Sequence, residues 1–202
     1  MSNVKVKICG LVREQDVMVA AEAGADVLGF IFARSPRRLE PAQAARLTER
    51  VRGGIIRVGL FMDQDADEVQ AILDAVELDL LQFHGSEPNA YCRSFGRPFI
   101  KAISMRAGDP GELAAAYPDA QGIVLDSHEP GGAGGTGQTF DWRRPVRVEQ
   151  PVWLAGGLNP DNVAEAVQRF SPYAVDVSSG VEDSPGVKNH TLIRTFIDHA
   201  RR

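Results

Sequence analysis

The sequence predicts an α/β fold, a single (β/α)8 TIM barrel spanning residues 1–202 as one domain. Three observations carry this. Apolar strands alternate strictly with helical segments, about eight of each at a spacing of roughly 20 to 30 residues. The strands are near-continuous apolar runs, as parallel strands buried on both faces are. No linker or shift in composition divides the 202 residues, a length that suits one sizeable core. An open doubly wound sheet is the competing arrangement, and about eight repeats favour closure.

The first strand is Val4 to Cys9, in which Val4, Val6 and Ile8 are β-branched and alternate with Lys5 and Lys7. It ends in a thiol followed by Gly10, which turns tightly and puts no side chain over the sulfur. Glu14 to Ala23 is a helix stopped by Gly24, and Val27 to Phe32 is a fully apolar strand. The loop Ser35-Pro36-Arg37-Arg38 leads to a helix opened by Pro41 and reaching about Val51. Ile55 to Phe61 is a strand, Asp65 to Leu73 a helix, and Leu80 to Gly85 a strand with a polar end at His84. Pro88 to Phe95 is helical, Phe99 to Ile103 a strand, Asp109 to Ala116 a short helix, and Gly122 to Asp126 a strand. A long polar loop, Ser127 to Asp141, follows. Val152 to Ala155 is a strand ending in Gly156-Gly157, and Pro160 to Arg169 is a helix with Asn159 as N-cap. Ala174 to Val177 is a strand ending in Ser178-Ser179-Gly180, and Thr191 to Ala200 is an amphipathic helix.

Composition excludes several classes. A net charge of -5 and a pI near 5.4 give no electrostatic footprint for nucleic acid or an anionic membrane. The start, Met1-Ser2-Asn3, has no basic and apolar leader, and no apolar run is long enough to span a bilayer. The two cysteines, Cys9 and Cys92, make neither a disulfide framework nor a zinc cluster. A cytoplasmic location with free thiols is expected.

Barrel chemistry sits at the C-terminal ends of the strands. Those ends carry Cys9, the Arg37 loop, His84, Asp126, Gly156-Gly157 and Ser178-Ser179-Gly180. The two small-residue loops follow the last two strands, where backbone N–H groups and helix N-termini bind phosphate. Asp126 ends an apolar run. It suits a helix cap or an Asx turn, and equally a general acid whose pKa is raised by desolvation or a neighbouring phosphate. A lone Cys beside a strand is ordinarily a small buried hydrophobe, so Cys9 draws its interest from this shared mouth. Arg37 or Arg38 has the fork to clamp a carboxylate, and His84 is placed to pair with Cys9 or line the pocket. Gly132, Gly134 and Gly137 spell G-x-G-x-x-G but neither follow a strand nor open a helix, so they read as a loop that closes over a ligand. The remaining histidines have no metal-binding spacing, and no metal is indicated.

Taken together, Lys5 to Gly10, Gly29 to Phe32, Ser35-Pro36-Arg37, Leu81 to Gly85, Leu125-Asp126, Gly134 to Trp142, Gly156 to Pro160 and Val175 to Glu182 resemble the motifs of the phosphoribosylanthranilate isomerase family. The resemblance runs in order over nearly the whole chain. It implies an Amadori rearrangement in tryptophan biosynthesis, from an N-(5-phosphoribosyl)anthranilate aminoaldose to an aminoketose. Cys9 would be the general base and Asp126 the general acid. Arg37 would hold the anthranilate carboxylate, with His84, Gly156, Gly157, Asp176, Ser178, Ser179 and Gly180 as further contacts to this small phosphoribosyl substrate. No cofactor is implied, and the pattern fits a monomer or a homodimer equally. Phe83 and Asn189 depart from the family's usual aliphatic residue and Asp. The related histidine-pathway isomerase is a competing reading, against which Cys9 stands where a carboxylate is expected. A cysteine hydrolase would need an oxyanion hole and an orienting third group. A barrel that only binds a sugar phosphate would keep its affinity without Cys9 or Asp126.

Overall fold

Eight parallel strands hydrogen-bond in sequence order, and the eighth pairs with the first, so the sheet has no edge. The structure, a computed structural model, describes residues 3–127 and 146–202. The strands are β1 (Lys5–Cys9), β2 (Val27–Ile31), β3 (Ile56–Phe61), β4 (Leu80–Phe83), β5 (Phe99–Ser104), β6 (Ile123–Asp126), β7 (Val152–Leu154) and β8 (Ala174–Val177). Seven α-helices lie among the described residues: α1 (Glu14–Glu22), α2 (Pro41–Thr48), α3 (Ala66–Ala75), α4 (Asn89–Arg93), α5 (Pro110–Ala115), α6 (Val163–Phe170) and α7 (His190–Ala200). A closed parallel barrel with helical crossovers is what the alternation predicts. The Gly131 to Gly137 stretch, and with it the G-x-G-x-x-G spacing and the expected loop closure, lies outside the described residues.

Strand parity sorts the side chains into two cores. Val6, Ile8, Leu28, Phe30, Leu81, Phe83, Val175 and Val177 face outward and pack under the helices. Val27, Val58, Leu80, Ile100, Val124, Trp153 and Ala174 fill the lower interior. Lys7, Gln82 and Asp176 have the inward parity and sit one layer higher, all buried. The alternation of β1 is therefore real, but Lys7 does not face solvent; it is fully buried inside the barrel.

Two local expectations change. Regular α6 starts at Val163 rather than Pro160, because Asn159 first caps a turn. Its Oδ1 accepts from the Asp161 and Asn162 N–H groups at 2.9 and 3.2 Å, and its carbonyl accepts from Val163 N at 3.1 Å. Between β8 and α7 the chain adds a 3-10 turn, Ser179–Val181, and an antiparallel pair, β9 (Glu182–Ser184) and β10 (Val187–Lys188). No apolar alternation marks these short strands, so periodicity does not reveal them. Neither departure from the family pattern, Phe83 or Asn189, lines the cavity at the mouth. Asn189 caps α7, its Oδ1 accepting from Thr191 N and Leu192 N at 2.9 and 3.0 Å, a role Asp fills equally well.

Phe83 is the hub of an aromatic cluster beneath α4. Its ring centroid lies 5.8–6.0 Å from those of Phe61, Tyr91, Phe95 and Phe99. Phe83→Ala would strip contacts from four rings at once, and we expect it to cost about 3–5 kcal/mol of stability. Urea unfolding midpoints at an unchanged m-value are the check.

Candidate active site

All ten residues expected at the site line one cavity at the C-terminal mouth of the barrel. These are Cys9, Arg37, His84, Asp126, Gly156, Gly157, Asp176, Ser178, Ser179 and Gly180. Arg38 does not join them; its side chain is about half exposed and 3.7 Å from Glu40. The return of the chain after β2 turns Arg37 rather than Arg38 toward the cavity. Leu39 N donates to Ile31 O at 2.8 Å, which ties the Ser35 to Arg38 loop beside the mouth with Arg37 inward.

The Cys9 thiol is buried. Gly29 on β2 makes room for it: a Cβ there would sit 2.7 Å from Sγ and 3.1 Å from Lys7 Cε. Gly10 does not open a solvent path to the sulfur, as its small size suggests. With φ at +73° it leaves a space occupied by Arg37 and Ser178, whose Cδ and Oγ would lie 2.6 and 3.0 Å from a Cβ. Burial pushes the thiol above its ordinary pKa; the Lys7 ammonium opposes this, Asp176 adds to it, and Lys188 opposes it. Asp126 ends β6 across the mouth, with His84 Nε2 3.7 Å from its Oδ2. Gln82 Nε2 lies 3.4 Å from His84 Nδ1.

The loops after β7 and β8 meet backbone to backbone. A Cβ on Gly180 would stand 1.9 Å from Leu158 O, so only glycine fits there. Gly156 and Gly157 both have positive φ, +84° and +67°. The first N–H groups of the Ser179–Val181 turn have no partner within the turn itself. This pair of close-packed, small-residue loops suits an anion such as phosphate.

Several polar groups escaped the sequence reading. Lys7 Nζ donates to Gln82 Oε1 at 2.6 Å and Asp176 Oδ2 at 2.7 Å in the barrel interior. Arg37 forks onto Glu182 of β9 through Nε and Nη2, at 2.8 and 2.6 Å. The buried Lys188 of β10 donates to Ser178 O at 3.0 Å and to Glu182 Oε1 at 2.8 Å. Burial pushes the Lys188 ammonium down. Burial works against the Glu182 carboxylate too, but Arg37 and Lys188 outweigh it and hold its pKa below the ordinary value. Lys7 and Gln82 had a signal available, since a polar residue inside a strand buried on both faces must find a partner. Glu182 closes the Val175 to Glu182 motif, but nothing in that motif names Arg37 as its partner, and Lys188 had no signal because the hairpin carrying both residues shows no period.

Residues 6–199 match the family described as N-(5'-phosphoribosyl)anthranilate (PRA) isomerase. The chain belongs to the phosphoribosylanthranilate isomerase family. Like its family, it is an isomerase of the aldose–ketose, intramolecular oxidoreductase type. It is 50% identical over 204 residues to the N-(5'-phosphoribosyl)anthranilate isomerase of Pseudomonas fluorescens strain Pf0-1, with 100% of both chains covered. A crystal structure of phosphoribosyl anthranilate isomerase from Thermus thermophilus superposes with a TM-score of 0.87 at 37% identity, covering 97% of this chain and 98% of the other. A second family structure is a complex with reduced 1-(o-carboxyphenylamino)-1-deoxyribulose 5-phosphate. It has a TM-score of 0.81 and 35% identity over 98% of each chain. No helix among the described residues is long and apolar enough to cross a membrane.

The paired Glu182 generates a pH prediction. A carboxylate held below 4.5 contributes stability above that value and loses it as pH falls through the folded pKa. Glu182→Gln should therefore be less stable than the wild type at pH 7, by about 1–3 kcal/mol. The gap should narrow on acidification below pH 4.5, as read by urea midpoints across that range.

Proposed function

We propose that this chain, acting as one barrel domain over residues 1–202, catalyses the Amadori rearrangement of N-(5-phosphoribosyl)anthranilate in tryptophan biosynthesis. The product is 1-(2-carboxyphenylamino)-1-deoxyribulose 5-phosphate. The single observation that carries the reading is the meeting of Cys9 and Asp126 on one cavity whose wall is the glycine loops after β7 and β8. The family relative complexed with a reduced form of that product supports the choice of substrate.

In this reading the phosphate rests on Gly156-Gly157 and Ser178-Ser179-Gly180, which fixes the sugar across the mouth. Asp126 gives its proton to the furanose ring oxygen, the ring C–O bond breaks, and the anthranilate nitrogen takes up the positive charge as an iminium. That charge acidifies C2′, and the Cys9 thiolate removes its proton to leave an enolamine. Protonation at C1′ and loss of the 2′-hydroxyl proton then give the ketone. Substrate and product are isomers, so no redox partner enters the balance. The cycle leaves Asp126 ionised and Cys9 protonated, and a proton must pass from one to the other before the next turnover. Arg37, already oriented by Glu182, holds the anthranilate carboxylate. Asp176 and His84 line the space between acid and base. The family match weighs against the histidine-pathway substrate and the cysteine-hydrolase reading.

Three substitutions separate these roles. Cys9→Ser and Asp126→Asn should each lower kcat by about a hundredfold or more with little change in substrate affinity. Arg37→Ala should act mainly on KM. The assay follows loss of substrate fluorescence after N-(5-phosphoribosyl)anthranilate is formed in place from anthranilate. Turnover close to wild type in either of the first two variants would overturn the assignment of acid and base.

A further inference from the structure

A thiol buried among apolar strands is a poor base, because burial opposes its charged form. Cys9 is 4% exposed and packs against Ile31 and Ala33. A base in such a place needs a fixed positive charge beside it. Lys7 is that charge by position: it lies two residues before Cys9 on β1, with the same inward parity. Both side chains flank the bare face of Gly29. Sγ and Lys7 Cε are separated by no more than the sum of their 2.7 and 3.1 Å distances to the Cβ position glycine leaves empty.

We propose that Lys7 is a positioning residue for the reaction, whose ammonium, tethered by Asp176 and Gln82, supplies the counter-charge that lets the Cys9 thiol ionise. This rests on the reading of Cys9 as the base. The tether is specific. Gln82 and Asp176 approach Nζ from opposite sides of the barrel at 2.6 and 2.7 Å, and Lys7 and Asp176 are register partners where β1 meets β8. Asp176 lines the cavity, and its Oδ1, also buried, makes no hydrogen bond among the described residues. The other charged or titratable groups facing the thiol are Lys188 from β10 and Arg37 from the β2–α2 loop, with Asp126 and His84 across the same cavity. Arg37 and Lys188 are both committed to Glu182. Lys7 is committed instead to Asp176, whose negative charge itself opposes thiolate formation. The two members of the ion pair thus act on Cys9 with opposite sign, although they hold each other in place.

That opposition is the test. Thiolate ultraviolet absorbance is titrated in each protein as the difference from its Cys9→Ser counterpart, so only Cys9 is read. In Lys7→Met the Cys9 midpoint should rise by about one pH unit or more, and kcat at fixed neutral pH should fall about tenfold with KM little changed. Lys7→Arg keeps the charge and should restore most of the wild-type midpoint. Asp176→Asn keeps the shape and an acceptor for Nζ, and should move the midpoint down. A purely structural pair would shift both variants the same way. An unchanged midpoint in Lys7→Met, or a shift of the same sign in Asp176→Asn, overturns the proposal. Should Lys7→Met fail to fold, Lys7→Gln takes its place, with the same rise expected and an unchanged midpoint overturning the proposal. These titrations need no turnover, so they stand apart from the activity of Cys9→Ser, which tests whether the thiol is the base.

Discussion

The closure of β1 onto β8 is the constraint on which the rest of the molecule depends. It pairs Lys7 with Asp176 in register and places an ammonium and a carboxylate in the barrel interior. Burying two charges is expensive, and their attraction seldom yields much net stability. What the pair supplies is registration. A slip of one residue along this seam would turn Lys7 toward the helix layer and leave Asp176 buried without a cation. Burial of Asp176 pushes its pKa up, and Lys7 opposes that shift. Burial alone would push Lys7 down, but Asp176 and Cys9 outweigh it and hold its pKa above the ordinary value. The apolar layer below, from Val27 around to Ala174, is constrained by volume and not by direction. The polar layer above it tolerates one alignment.

On that layer the mouth is assembled by subtraction as much as by addition. Gly29 leaves the pocket that receives the sulfur, Gly10 lets Arg37 and Ser178 approach, and Gly180 lets two backbones touch. Each glycine marks a place where a neighbouring strand end delivers a group that a Cβ would exclude. The charges follow a similar economy. Arg37, Glu182 and Lys188 form a chain running from the loop after β2 to the hairpin after β8, so both flanks of the cavity are braced by the same carboxylate.

The barrel was legible from the sequence because its signals are redundant. Apolar strands such as Val27 to Ile31, and helix punctuation such as Gly24, repeat often enough that boundary errors of a few residues do not alter the topology. The strand-end residues were legible for the same reason, since knowing the strands fixes which residues face the mouth. Lys7 was readable only in part. Alternation identified the strand correctly, but it could not say which of the two faces of a closed sheet is wet, and in a barrel neither is. The hairpin that joins Glu182 to Lys188 was invisible because β9 and β10 are too short to carry a period, and Glu182 was legible only as the end of the motif that follows β8. Their importance comes from contacts with Arg37 and Ser178, residues far away in sequence or separated by a turn that periodicity does not register.

The sequence distance across these contacts bears on how the chain is made. Lys7 waits 169 residues for Asp176, and Asp16 on α1 waits 172 residues for the Lys188 backbone and 174 for His190. Asp26, at the foot of β2, likewise waits 175 residues for Arg201. During synthesis from the N-terminus, the first α/β unit therefore carries Lys7 without its carboxylate, and Asp16 and Asp26 with only their local partners Arg13 and Lys5, until the final unit emerges. A chain that stops before β8 exposes two strand edges, on β1 and β7, together with an unmatched lysine inside an open sheet. Truncated products of this barrel should be conspicuous to chaperones and proteases, and a full-length chain gains its last strand and its internal charge balance in the same event.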